Sequence, residues 1–270
     1  MSDQMAGEDG HAQAVRFPIL TVQDLTTGYR RDAPVVHDAV LEVGEHEIVS
    51  VLGSNGAGKT TLLRAVSGLL RHSTGSVRFL GEEILGFPPH ELVRRGLVQV
   101  PSGRELAPSL SVRDTLLLGA HPYRRDRRRV RLMLDDLFER VPALADRARR
   151  PAGSLSGGQR QVLLIARGLM SRPRLLLLDE ASAGLAPRTV RGLFSLVRSL
   201  WREGVTFLMV EKAARAALEV SDRAYVMELG RIVAAGSAED IAANPRLVAA
   251  YLGKDRAGRE SVLAGEAGDG

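Results

Sequence analysis

Apolar residues follow two rhythms along the chain. From Ile19 to Thr27 and from Val35 to Val43 they alternate with polar residues, as in strands half buried in a sheet. Other runs are apolar almost without a break: Ile48 to Leu52, Leu97 to Val100, Arg174 to Leu178, Thr206 to Val210 and Tyr225 to Glu228. Strands covered on both faces have this pattern, which suits a parallel sheet. Gly44-Glu45 predicts a turn. Ser73-Thr74-Gly75 predicts another, before strands near Val77–Leu80 and Glu83–Leu85. A helical period runs from Lys59 to Leu70 and dominates from Val112 to Met170, where basic loops interrupt it. Alternation of strands and helices predicts an α/β fold with a helical insertion near residues 100–170. Residues 1–16 and 255–270 are rich in small and acidic residues without periodicity. They are expected to be tails around one folding unit at 17–254, which has no internal repeat.

Composition narrows the possible roles. The chain has 270 residues, 44% of them hydrophobic, enough for a full core. No apolar run approaches the roughly 18–20 residues that cross a bilayer, and the strongest is Leu175–Leu178. Met1 to Ala14 is polar and acidic where a signal peptide needs an apolar stretch, so a cytoplasmic location is expected. The absence of cysteine excludes disulfides and thiol chemistry. Net charge is +5, and the basic surplus is arginine, since Lys59, Lys212 and Lys254 are the only lysines. The densest run, Arg124 to Arg131, is expected to be a solvated helix face, with a lipid or partner contact as the alternative. With 4% aromatics, none interleaved with the basic residues, there is no stacking platform for single strands, and no nucleic-acid partner is expected.

One segment carries specific chemistry. Gly53-Ser54-Asn55-Gly56-Ala57-Gly58-Lys59-Thr60 fits the phosphate-loop pattern, follows an apolar strand and opens a helix containing Thr61. Its glycines let the backbone wrap an anion closely, and the helix N-terminus adds partial positive charge. Lys59 is placed for the outer phosphates of a nucleotide and the Thr60 hydroxyl for magnesium. A second glycine-rich turn, Leu155-Ser156-Gly157-Gly158-Gln159, also opens a helix, so one chain holds two half-sites for phosphate. A head-to-tail pair of chains, each covering the other's nucleotide, accounts for both.

With these motifs in that order, the chain resembles ABC-transporter ATPases, whose signature is Leu-Ser-Gly-Gly-Gln. The resemblance covers about residues 18–254. It implies a RecA-like P-loop NTPase core with an antiparallel β subdomain and a helical insertion. It also implies ATP and Mg2+ as ligands. Asp179 and Glu180, after Leu175–Leu178, look like the family's acidic pair: Asp179 would hold magnesium and Glu180 would activate the attacking water. Gln99 matches the glutamine that contacts magnesium or water and relays nucleotide state. Tyr29 matches the aromatic that stacks on adenine, and Ser156, Gly157, Gly158 and Gln159 would face the partner's ATP. Ser182-Ala183-Gly184-Leu185 corresponds to the D-loop, which touches the opposite protomer.

Within the family the chain is similar to the smaller ATPase of branched-chain amino-acid importers. The matching pieces are Gln99-Val100-Pro101 with Gly103-Arg104, Gly184-Leu185-Ala186-Pro187, Ser221-Asp222-Arg223 and Ala250-Tyr251-Leu252-Gly253. Relatives serving urea or short amides look much alike. The implied partners are a second ATPase (identical or homologous), two membrane permease subunits and a solute-binding protein, with the chain peripheral on the inner membrane face. Two positions depart from the pattern. Lys212 stands where most members place a histidine against the γ-phosphate, and no histidine lies beyond His121. Ala181 replaces a usual proline, which frees the local φ angle and is expected to loosen the D-loop.

Overall fold

The computed structural model describes residues 18–102, 106–245 and 247. Both expected tails, the Gly103-Arg104 pair and the Ala250–Gly253 ending lie outside the described residues. The chain begins with two antiparallel strands, β1 (Pro18–Gly28) and β2 (Val36–Gly44), then β3 (Ile48–Leu52) and helix α1 (Lys59–Val66). Next come β4 (His72–Phe79), β5 (Glu82–Glu83), α2 (Pro89–Arg95) and β6 (Leu97–Val100). The helices α3 (Val112–Gly119), α4 (Arg127–Arg140), α5 (Pro142–Ala145) and α6 (Gly157–Leu169) follow. The remainder is β7 (Leu175–Asp179), α7 (Pro187–Arg202), β8 (Thr206–Glu211), α8 (Ala214–Leu218), β9 (Arg223–Glu228), β10 (Arg231–Ser237) and α9 (Ala238–Ala243).

The strands form two sheets. A four-stranded sheet runs in the order β2-β1-β4-β5 and a six-stranded one in the order β10-β9-β3-β8-β7-β6. In the larger sheet β6, β7, β8, β3 and β9 are parallel, and β10 returns antiparallel along the edge. β3, β7 and β8 are buried at every position, which explains their unbroken apolar runs: helices or the second sheet cover both faces. On one face, α1 and the antiparallel sheet enclose Leu62, Val51, Leu177 and Phe79. On the other, α6 to α9 pack on the sheet. There α7 presents Val190, Leu193, Phe194, Val197 and Leu200, spaced as one stripe of a helix. Each such side chain contributes roughly 1.5–3 kcal/mol on burial. A third apolar cluster lies within α3, α4, α5 and the outer side of α6.

Several local expectations differ from what is observed. Ser73-Thr74-Gly75 is not a turn but part of β4, with Ser73 opposite Thr27 and Thr74 opposite Thr26 on β1. Pairing with a distant upstream strand overrides the polar local sequence. α1 stops at Val66 rather than Leu70, because Gly68 adopts φ 73 just beyond the Ser67 cap. The arginine run is only partly helical. Arg124 and Arg125 precede α4, Asp126 caps it by accepting the Arg129 N–H at 2.9 Å, and the guanidinium of Arg129 lies 4.0 Å from the Tyr123 ring centre. The Ser221-Asp222-Arg223 piece is architectural: Asp222 accepts the N–H of Ile48 at 2.8 Å, and Arg223 meets Glu47 at 3.4 Å, fixing β9 to the start of β3. No helix among the described residues is long and apolar enough to cross a membrane.

Candidate functional site

Parallel strands deliver their C-terminal ends to one edge of the sheet, and in α/β folds ligands gather there. Four strands end at this edge with polar chemistry: β3 before Gly53, β7 at Asp179-Glu180, β8 at Glu211-Lys212 and β6 near Gln99. The phosphate loop bends from β3 into α1. Gly58 has φ 103, a conformation that L side chains rarely adopt, and it turns the chain so that its carbonyl accepts the Leu62 N–H at 2.9 Å. Ala57 is held from the sheet side by Gly230, whose N–H donates to its carbonyl at 2.9 Å. Ser54, Asn55 and Gly56 are exposed at the tip, whereas Gly53, Ala57, Gly58, Lys59 and Thr61 are buried. The Lys59 ammonium lies inside the loop, donating to the carbonyls of Gly53 at 2.9 Å and Ser54 at 3.0 Å, and it meets Glu180 Oε1 at 3.2 Å. A buried cation in a glycine-rich loop between a strand and a helix N-terminus has the chemistry to hold a phosphate.

The carboxylates stand beside this loop. Thr60 donates its hydroxyl to Asp179 Oδ1 at 2.8 Å. Asp179 is buried, and its second oxygen has no hydrogen-bond partner. Burial pushes its carboxyl above the usual range; the Thr60 hydroxyl opposes this and the Glu180 charge adds to it. An orphaned, buried carboxylate oxygen next to a hydroxyl suits a hard cation that takes oxygen ligands and keeps several waters. Among the described residues no cluster of three or more His, Cys, Asp or Glu competes for a metal. Glu180 follows with φ 45, a left-handed conformation that is costly for a residue other than glycine. Its N–H is fixed by the Val210 carbonyl at 2.9 Å.

The remaining expected residues are placed less uniformly. Tyr29 is 52% exposed just past β1; its hydroxyl accepts from Arg64 of α1 at 3.0 Å, and the Arg64 guanidinium lies 5.8 Å from its ring centre. Gln99 is turned to the far end of α1, where its Oε1 accepts from the Ser67 hydroxyl at 2.5 Å; the structure does not bring it against Thr60 or Asp179. Lys212 is exposed immediately after β8. Ser156 caps α6, accepting the Gln159 N–H while Gln159 Oε1 accepts the Ser156 N–H at 3.1 Å. This turn bonds within itself and packs on α7: a Cβ at Gly158 would lie 2.2 Å from the Thr189 methyl. Its exposed helix N-terminus can take an anion supplied from outside its own phosphate loop.

The sequence profile of the ABC transporter family matches residues 36–183, more than half of the chain. The chain belongs to the ABC transporter family. It is 41% identical over 230 residues to the high-affinity branched-chain amino acid transport ATP-binding protein BraG of Pseudomonas aeruginosa, covering 85% of this chain and 98% of that protein. It is 35% identical to the lipopolysaccharide export system ATP-binding protein LptB of Acidithiobacillus ferridurans, covering 87% and 97%. Its fold matches the crystal structure of the ADP conformation of MJ1267, an ATP-binding cassette of an ABC transporter. The TM-score is 0.76 with 27% identity, over 88% of this chain and all of that one. This ABC subunit is thus an ATP-binding ATP hydrolase with the ABC ATPase fold.

Sequence reasoning missed Glu211 as a site residue. It ends the expected strand at Val210, but β8 continues one residue further, buried. An acid directly extending the apolar run Phe207–Val210 was the available signal.

Proposed function

We propose that this ABC subunit hydrolyses ATP at Lys59, Thr60, Asp179 and Glu180 to drive uptake of branched-chain amino acids. The observation that carries the hydrolytic part is the contact of Lys59 with Glu180 at 3.2 Å beside the Thr60–Asp179 pair at 2.8 Å. ATP would lie with its phosphates in Gly53–Thr61 and its adenine on Tyr29. Thr60 and Asp179 would hold magnesium, which supplies charge for the phosphate oxygens. Glu180 takes a proton from water as that water attacks the γ-phosphorus; the bond to the bridging oxygen breaks, and ADP and phosphate leave. Lys212 would contact the γ-phosphate as a point charge, without the proton transfer that imidazole allows. Gln99 would move from Ser67 to sense the nucleotide. Ser156 to Gln159 would close on the ATP of a second ATPase, identical or homologous. Two permease subunits would dock the pair on the inner membrane face, and a solute-binding protein would supply solute.

The solute rests on the 41% identity to BraG. Deleting the gene should abolish high-affinity uptake of labelled leucine, and restoring it should recover uptake. Unchanged leucine uptake sinks the solute assignment and leaves the ATPase assignment standing. A second reading, a binding-only switch subunit whose partner hydrolyses, is favoured by the exposed Lys212 at the histidine position. Steady-state hydrolysis with and without the partner separates the two.

A further inference from the structure

β8 ends in a carboxylate that hydrolysis as described leaves without a task. Glu211 is 1% exposed, on the central strand of the larger sheet. Its hydrogen-bond partners are the N–H of Ser182 at 3.1 Å and the Ser182 hydroxyl. Burial pushes its carboxyl up to about 7, against the pull of these donors. A buried acid without a cation is costly, and a central strand would be more stable with an apolar residue there.

Its position shows what the cost supports. In register, Glu211 lies opposite Leu52, the residue before the phosphate loop, while Val210 lies opposite Asp179. The end of β8 therefore stands between the two halves of the site. Glu180, in its strained φ 45 conformation, is flanked by two anchors from this strand end. Val210 holds its own N–H, and Glu211 holds Ser182, two residues on. Strained backbone persists only where its surroundings over-determine it. The loop beyond Glu180 has little else: Ala183 N–H to the Glu180 carbonyl at 3.0 Å and Leu185 N–H to the Ser182 carbonyl at 3.2 Å are both internal to the turn. With alanine at 181, no proline ring stiffens this segment.

We propose that Glu211 is a positioning residue for hydrolysis. By gripping both polar groups of Ser182 it locks the strained backbone of Glu180 and ties the Ser182–Leu185 loop to the strand that carries Lys212. The two then move as one body. This inference rests on Glu180 being the base that activates water.

The test compares Glu211→Ala, Ser182→Ala and Ser182→Thr in the full chain. Affinity is measured with a fluorescent ATP analogue, and kcat and KM by steady-state phosphate release. With the phosphate loop intact, affinity should stay within about threefold, a shift below roughly 0.7 kcal/mol. The kcat should fall about 10- to 100-fold in both alanine variants. Ser182→Thr, which keeps the hydroxyl, should recover most of the rate. Ser182→Ala removes the hydroxyl half of the contact and leaves the N–H bond, whereas Glu211→Ala removes both, so the double alanine variant should be no slower than Glu211→Ala alone. A kcat within twofold of wild type in folded Ser182→Ala overturns the proposal. So does a parallel loss of affinity and rate, which marks general collapse of the site. If Glu211→Ala does not fold, Ser182→Ala reads the hydroxyl half of the contact from the other side. Glu180→Gln separates the layers. If that variant turns over normally, the base assignment fails and the inference with it. If it is inactive while the Ser182 and Glu211 variants match wild type, only the inference fails.

Discussion

The phosphate loop and the junction between Ser182 and Glu211 lie on the same edge of the same sheet but are built in opposite ways. The phosphate loop is one contiguous segment: Lys59 finds its carbonyl partners at Gly53 and Ser54, six and five residues away. The junction joins residues 29 positions apart that meet only because β8 inserts between β3 and β7. One is a local turn with a charge in its centre. The other is a buried carboxylate in a central strand, stable only through two donors from a neighbouring loop. The difference teaches that binding and timing can be separated in one site. In the proposed mechanism a contiguous loop captures the anion, and a long-range contact sets the geometry of the group that acts on it.

Four outcomes test this division. The largest effect is expected from Glu180→Gln. It should keep ATP binding while slowing hydrolysis by about 10²–10⁴, the scale of a general base, in single-turnover assays. Unaltered turnover would show that hydrolysis proceeds without Glu180.

Glu211 should make itself felt in stability. Its folded pKa of about 7 exceeds the ordinary glutamate value of 4.5, so the folded state holds the proton more tightly. Its contribution is therefore full below about pH 4.5 and is lost as pH rises through 7. Charging it should cost at most about 3 kcal/mol. The stability of Glu211→Gln relative to wild type, read from urea unfolding, should rise by about that amount between pH 4.5 and 8. A difference that does not change with pH would break the comparison. The same variant is expected to be slower, a trade of activity for stability.

Lys59→Ala removes the charge at the centre of the phosphate loop. Affinity for ATP should drop about a hundredfold, roughly 2.7 kcal/mol, by equilibrium titration. A loss within threefold would mean that the loop binds phosphate through its backbone alone. The smallest effect is expected at Lys212. Lys212→Ala should weaken ATP more than ADP by a fewfold, while Lys212→Arg keeps most activity. Identical ATP/ADP discrimination in all three proteins would make Lys212 a surface residue.

Much of the site was legible because its signals are local. Gly53–Thr60 sits between an apolar strand and a helix, and the geometry of a phosphate loop needs nothing more distant. Leu155–Gln159 reads as a capped helix start for the same reason: Ser156 and Gln159 bond to each other. Gln99 was legible only as a position. Its side chain lies with Ser67, a contact that no spacing along the chain announces. The arginine run looked like a helix face, but Asp126 caps α4 inside it, so only part of it is helical. Ser73–Gly75 looked like a turn, but β1 recruited it as a strand.

The sequence alone determined the phosphate chemistry, the α/β alternation and the unbroken apolar strands, because these depend on neighbours a few residues apart. Tertiary structure decided the strand order. β8 follows β7 in the chain but lies between β7 and β3, so its end is set between Leu52 and Asp179. That placement buries Glu211, brings it to Ser182 and leaves Lys212 exposed beyond it. No local preference encodes it. The order is selected by packing both faces of one sheet, which depends on the whole set of helices and strands at once.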